Sequence, residues 1–118
     1  MKELVYLAIP YSHPDPKVSL ARFELANKIA AKLMNQGALI YSPISHTHPI
    51  ALAGKLPLGW EFWHKYDTAM LKCCYKIIVI TADGWETSKG VTSEIKIAME
   101  LGLKIEYLDP DNEEGPCR

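Results

Sequence analysis

The stretch Asp83-Gly-Trp-Glu-Thr-Ser-Lys-Gly-Val-Thr-Ser-Glu-Ile-Lys-Ile-Ala-Met-Glu-Leu-Gly102 decides how the chain is read. Immediately before it, Lys76-Ile-Ile-Val-Ile80 is a short apolar run rich in β-branched residues, which predicts a buried strand. After Ser88 an amphipathic helix begins, with Val91, Ile95, Ala98 and Met99 recurring at helical spacing, and Gly102 suits the left-handed position past its end. A strand, a polar glycine-bearing loop and a helix N-terminus are the parts of a ligand site at the carboxyl end of a parallel sheet. Glu94 stands near the start of this helix, at the edge of its apolar stripe, where the helix dipole is expected to favour the ionised form. An ionised, half-sheltered carboxylate facing a cleft is a candidate nucleophile.

The remainder of the chain repeats the alternation of strand and helix. Leu4-Val-Tyr-Leu-Ala-Ile9 is apolar throughout, as a strand buried on both faces should be, and Pro10 ends it. Asp15 is a good N-cap with Pro16 at the first helical position, so a helix is expected from there to about Gln36, stopped by Gly37. Its main stripe is Val18, Ala21, Leu25, Ile29 and Leu33; a second, Phe23, Ala26, Ala30 and Met34, widens the apolar surface and suggests a homo-oligomer contact. A second strand follows at Ala38–Tyr41. From Ser42 to Leu58 the chain is rich in Pro, Ser, His and Gly, and a long functional or mobile loop is expected. A helix from about Gly59 to Cys73 and a last strand at Lys104–Leu108 complete a single domain over 1–108, with a polar, frayed tail at 109–118. The expected architecture is α/β: a small doubly wound, Rossmann-like parallel sheet of four to five strands, ordered 2-1-3-4, with right-handed crossovers.

Bulk properties exclude several functions. With 118 residues, 48% apolar and 23% charged, the chain suits one ordinary globular domain. A net charge of −1 provides no electrostatic footprint for a nucleic-acid polymer or an anionic membrane, which leaves a small-molecule partner. The amino terminus does not read as a signal peptide, and no apolar run approaches transmembrane length. Cys73, Cys74 and Cys117 form no CxxC pair, so a reduced, cytoplasmic setting is expected. No G-x-G-x-x-G, P-loop or G-x-S-x-G motif is present, which argues against the usual dinucleotide, nucleoside triphosphate and serine-hydrolase sites.

Particular residues then stand out. Asp67 falls in the middle of a stripe formed by Trp60, Trp63, Met70, Leu71 and Cys74. An unpaired buried carboxylate is expensive, so Asp67 is expected to be paired, protonated or facing a cavity; the plainer alternative is a core hydrogen bond, for instance to His64. Ser88, Lys89 and Gly90 offer a hydroxyl, a cation and backbone N–H groups to a phosphate, although Ser88 also reads as a plain N-cap. Tyr11 and Ser12 follow the first strand and border the same crevice, Tyr11 either orienting a carboxylate or covering the core edge. Asp83, Gly84 and Trp85 form the opposite loop, Trp85 either stacking on a base or capping the core. His46 and His48, with His13 and His64, raise a metal site, but no Cys or carboxylate stands at a ligand spacing; no metal or cofactor is expected, and His46 and His48 are read as lining a substrate lid.

These motifs together resemble the nucleoside 2-deoxyribosyltransferase superfamily. Tyr6-Leu-Ala-Ile-Pro-Tyr-Ser12 is similar to its first-strand motif, Asp67 leading into the strand at 76–80 to its second, and Asp83-Gly-Trp with Ser88-x-Gly-Val-x-x-Glu94 to its third. The likeness is strongest to a compact branch of small bacterial and phage proteins catalogued as a domain of unknown function, and it covers about residues 4–108. It implies cleavage of an N-glycosidic bond through a glycosyl–enzyme ester, with Glu94 as nucleophile, Asp67 positioning it or managing the proton on the base, Tyr11 holding the carboxylate and Ser88 binding a 5′-phosphate. It also implies residues supplied by a neighbouring subunit. Two departures are visible: Ile9 replaces the usual Gly, and the loop from Asp83 to Lys89 carries Trp85 and Glu86 as an insertion.

Overall fold

The computed structural model describes residues 2–111. Its elements run β1 (Leu4–Ala8), α1 (Pro16–Asn35), β2 (Leu39–Tyr41), α2 (Pro43–Gly54), α3 (Trp60–Leu71), β3 (Cys74–Ile80), α4 (Lys89–Leu101) and β4 (Lys104–Leu108). All four strands are parallel and lie in the order β2-β1-β3-β4, the doubly wound arrangement expected from the alternating pattern. Parallel neighbours need a crossover between them, and here the crossovers occupy both faces of the sheet.

Strand alternation sorts the core into two layers. Val5, Leu7, Ile78 and Ile80 face α1 and α2, where they meet Ala26, Ile29, Ala30, Leu33 and Ile44. Tyr6, Ala8, Ile77 and Val79 face the other way, against Leu71 of α3 and Val91 and Ala98 of α4. Asp15 caps α1 by accepting from Lys17 N at 3.0 Å, with Pro16 at the first position. Ser88 caps α4 by accepting from Val91 N at 3.2 Å, and Gly102 closes it in the left-handed region (φ 73°). Ion pairs from Lys76 (2.8 Å) and Lys104 (3.4 Å) converge on Glu106 and tie β3 to the edge strand.

Two expectations are corrected. The segment 42–58 is not a long loop: residues 43–54 form α2, and only 55–59 are irregular. The signals were Pro43 at the first helical position and a buried face of Ile44, Thr47, His48 and Ala51 at i, i+3, i+4 and i+7. Because Thr47 and His48 are polar, that period does not register as hydrophobic. Short residues 55–59 then carry the chain from the α1 layer to the α3 layer, fastened by Ser12 Oγ donating to Leu58 O (3.0 Å) and Trp63 Nε1 donating to Pro57 O (2.8 Å).

The face of α1 is also rotated from the expected one. Its buried residues are Ser19, Ala26, Ile29, Ala30 and Leu33, whereas Ala21 is exposed. The second apolar stripe is covered largely from within, since Ala26 and Ala30 join the core and the Phe23 ring stacks on His48 of α2 at 4.2 Å. No second subunit is needed to cover those residues. The tail beyond 111 lies outside the described residues.

Pro49 sits inside α2, where it lacks the N–H that Ser45 O would accept. Replacing exposed Pro49 by Ala should restore that bond and stabilise the protein by about 2 kcal/mol, after allowing for the freer unfolded chain. Urea denaturation would read this as a higher midpoint at unchanged slope; an unmoved midpoint would show that α2 accommodates the ring without loss.

Candidate functional site

β1 leads to β2 over one face of the sheet, and β3 leads to β4 over the other, so the loops leaving β1 and β3 diverge. A crevice at such a switch point is where open α/β sheets bind ligands. It is present here as a cavity of about 350 Å³. Ile9, Tyr11 and Ser12 border it after β1, Gly84, Thr87, Ser88, Lys89 and Gly90 after β3, Thr47 from α2, and Trp60, Glu61 and Trp63 from α3.

The floor carries the chemistry. Glu94 and Asp67 both line the cavity, yet their residues are only 6% and 7% exposed. Glu94 descends from the Val91–Glu94–Ala98 face of α4, and Asp67 from the Trp63–Asp67–Leu71 face of α3. Tyr6, fully buried in β1, stands on the same face of the sheet, and its hydroxyl donates to Glu94 Oε2. Asp67 is also within hydrogen-bonding influence of Tyr6, while its Oδ1 has no partner among the described residues. A buried acceptor without a partner is costly, which adds to the pressure on Asp67 to take up a proton.

Burial decides the protonation of this trio. Desolvation pushes Asp67 up to about 7, the Tyr6 hydrogen bond offsetting it in part. Desolvation likewise raises Glu94 well above the carboxylate range; the Tyr6 bond opposes this and the nearby Asp67 adds to it. The Tyr6 phenol is raised too, by burial and then by the two carboxyls, so it remains a donor. The expected ionisation of Glu94 by the α4 dipole is therefore outweighed. Glu94 is the sixth residue of α4, beyond the first turn in which the helix field is strong. Two carboxyls sharing one hydroxyl in a low-dielectric pocket hold fewer than two charges at neutral pH.

The other residues singled out in the sequence fall on both sides of the cavity wall. Tyr11 lines it, but its hydroxyl faces His48 Nδ1 at 2.5 Å, and Tyr6 is the tyrosine that meets Glu94. His48 is packed between Tyr11 and Phe23, and His46 stacks on Tyr66 at 4.9 Å; both belong to α2 and neither lines the cavity. Trp85 packs on Tyr107 of β4 with rings 5.7 Å apart and caps the core. The Asp83 side chain is exposed, whereas its carbonyl accepts from Arg22 Nη2 at 3.3 Å. His64 pairs with the Trp60 ring, not with Asp67. No group of His, Cys, Asp or Glu among the described residues is arranged to hold a metal ion.

Tyr6, Arg22 and Glu61 were not singled out in the sequence. Tyr6 hides in an apolar run, where an aromatic residue reads as core. Arg22 Nη1 donates to Tyr11 O (3.4 Å) and Ser12 O (3.1 Å), so with its bond to Asp83 O it straps together the loops after β1 and β3. Gly84 has φ 87°, and a Cβ there would stand 3.0 Å from Arg22 Nη2, so glycine permits the strap. Glu61, in the first turn of α3, pairs with Lys89 at the start of α4.

The fold and site thus define a parallel α/β domain with a carboxyl-floored cleft at its switch point. The chain belongs to the family described as Domain of unknown function (DUF1937), whose match spans residues 3–108. No curated protein matches it. No helix among the described residues is long and apolar enough to cross a membrane.

The pH dependence of stability checks the protonation of Asp67. A carboxyl raised to about 7 on folding binds protons more tightly in the folded state, so its burial is harmless below pH 4 and destabilises progressively as pH rises from about 4 to 7. Asp67→Asn should therefore gain stability over wild type across that window, by about 4 kcal/mol at pH 8 relative to pH 4. Urea midpoints of both proteins at several pH values measure this; a pH-independent difference would mean that Asp67 titrates as an ordinary surface carboxyl.

Proposed function

We propose that the protein cleaves the N-glycosidic bond of a nucleoside or nucleoside 5′-monophosphate through a glycosyl–Glu94 ester. The observation that carries this reading is the pair of buried carboxyls, Glu94 and Asp67, meeting at Tyr6 on the floor of the switch-point cavity. The resemblance of the Tyr6–Ser12, Asp67 and Ser88–Glu94 stretches to the nucleoside 2-deoxyribosyltransferase superfamily supports it.

The chemistry follows from sharing one proton. The reactive form carries the shared proton on Asp67: a neutral Asp67 no longer repels charge on Glu94, and the Tyr6 hydrogen bond favours the Glu94 carboxylate against the desolvation that opposes it. A Glu94 oxygen attacks C1′ as the C1′–N bond breaks, and the base leaves with the electron pair and takes the Asp67 proton. Positive charge developing at C1′ and the buried carboxylate stabilise one another in the transition state. Water, or the N–H of a second base, then attacks C1′ as the C1′–O bond of the ester breaks; its proton passes to Asp67 and Glu94 is released as the carboxylate. Trp60 and Trp63 provide aromatic surface for the base, and Ile9 narrows the crevice beside β1. The reaction needs no cofactor. A homo-oligomer, with a neighbouring subunit adding to the site, belongs to the same proposal.

A second reading is a non-catalytic nucleotide-binding module on this fold. The burial that raises Glu94 favours it, because a carboxyl in its neutral form binds but does not attack.

Chromatographic detection of free base separates the two. Wild-type protein incubated with ribo- and deoxynucleosides and their 5′-monophosphates should release base, and Glu94→Gln should lower the rate by about a thousandfold or more while keeping ligand affinity. Nucleotide binding without release by wild type would select the binding module.

A further inference from the structure

We infer that Glu61 sets the charge preference of the cavity: by holding Lys89 it withholds the ammonium a phosphate would need and selects an uncharged nucleoside over its 5′-monophosphate. The ligand's identity as a nucleoside rests on the proposed function; the charge of the mouth does not.

Among the described residues lining the cavity, the full cations are Arg22 and Lys89. A phosphate monoester carries close to two negative charges at neutral pH and is normally met by free cations and converging N–H donors. Neither cation is free. Arg22 directs its guanidinium at the carbonyls of Tyr11, Ser12 and Asp83, as a strap between loops. Lys89 Nζ is in contact with Glu61 Oε2.

Glu61 does more than pair. Its carboxylate folds back over the start of α3, where Oε1 stands 3.2 Å from the position a Cβ on Gly59 would take. Gly59 provides no side-chain cap, so the carboxylate lies at an uncapped helix N-terminus. Contact with Lys89, followed by its own backbone N–H, holds Glu61 below the usual carboxylate range. The place where an incoming anion would find a helix N-terminus and an ammonium thus already holds an anion from the chain itself. Asp83 and Glu86 add exposed negative charge on the loop after β3.

The side chains of Lys89 and Glu61 are 71% and 69% exposed, so their pair contributes little to stability and Glu61→Gln is expected to fold. Calorimetric titration of wild type, Glu61→Gln and Glu61→Gln/Lys89→Gln tests the inference with deoxynucleosides, their 5′-monophosphates and inorganic phosphate. Wild type should favour nucleosides by about tenfold or more, and Glu61→Gln should raise the monophosphate-to-nucleoside affinity ratio about tenfold by freeing Lys89. The double variant should return the ratio to its wild-type value. A wild type that prefers monophosphates, or a ratio unmoved by Glu61→Gln, overturns the inference. If neither nucleosides nor monophosphates bind any of the three proteins, the proposed function falls. Inorganic phosphate then decides the charge question alone: binding to Glu61→Gln but not to wild type upholds it, and equal binding or none to either refutes it.

Discussion

Parallel strands cannot be joined by hairpins, and the rest of this structure depends on that constraint. Each connection must leave the carboxyl edge of the sheet, cross a face and return to the amino edge. With α1 on one face and α4 on the other, the chain parts at the carboxyl ends of β1 and β3. The crevice left there is not filled by a core side chain. Residues 55–59 pass between the layers near it, and α3 and α4 both begin beside it. The site is a consequence of the winding.

Within the crevice, opposing effects of unequal size set the chemistry. The α4 dipole and the Tyr6 hydrogen bond favour a charged Glu94, while loss of water and the proximity of Asp67 oppose it. Desolvation is the largest of these because both carboxyls lie nine-tenths or more out of solvent. The outcome is a pair of carboxyls that both hold their protons more tightly than exposed ones do. Such a pair is costly to the fold as pH rises, and it persists where surrounding packing outweighs that cost.

The legibility of the site varied with the background against which each residue is seen. Asp67 was conspicuous because a carboxylate interrupts an otherwise apolar helical stripe. Ser88 and Glu94 were visible from the cap and period of one helix, since helix geometry is local. Tyr6 was invisible because a tyrosine in a strand of Leu, Val and Ala looks like core, and its hydroxyl acquires a role only when α4 is laid across it. Arg22 and Glu61 were equally silent. Their partners are backbone carbonyls and a lysine 28 or more positions away in some cases, as for Asp83 O and Lys89. His46 and His48 misled for the opposite reason: clustered histidines in a Pro-rich stretch read as a loop, yet His48 supplies part of the buried face of α2.

From the chain alone follow the elements that local forces dictate: the β-branched run of β3, the capped and glycine-ended α4, the Asp15–Pro16 start of α1, and the sheet order that alternating elements favour. These depend on side-chain sterics and hydrogen bonds within a few residues, which a sequence displays directly. Packing alone decides the rest. It rotates the buried face of α1, converts residues 43–54 into a helix, sets Tyr6 beneath Glu94 and, through desolvation, raises Glu94 above the usual carboxylate range where the helix dipole was expected to keep it ionised. Each of these is governed by desolvation and by contacts between distant segments, and neither quantity exists until the layers close on one another.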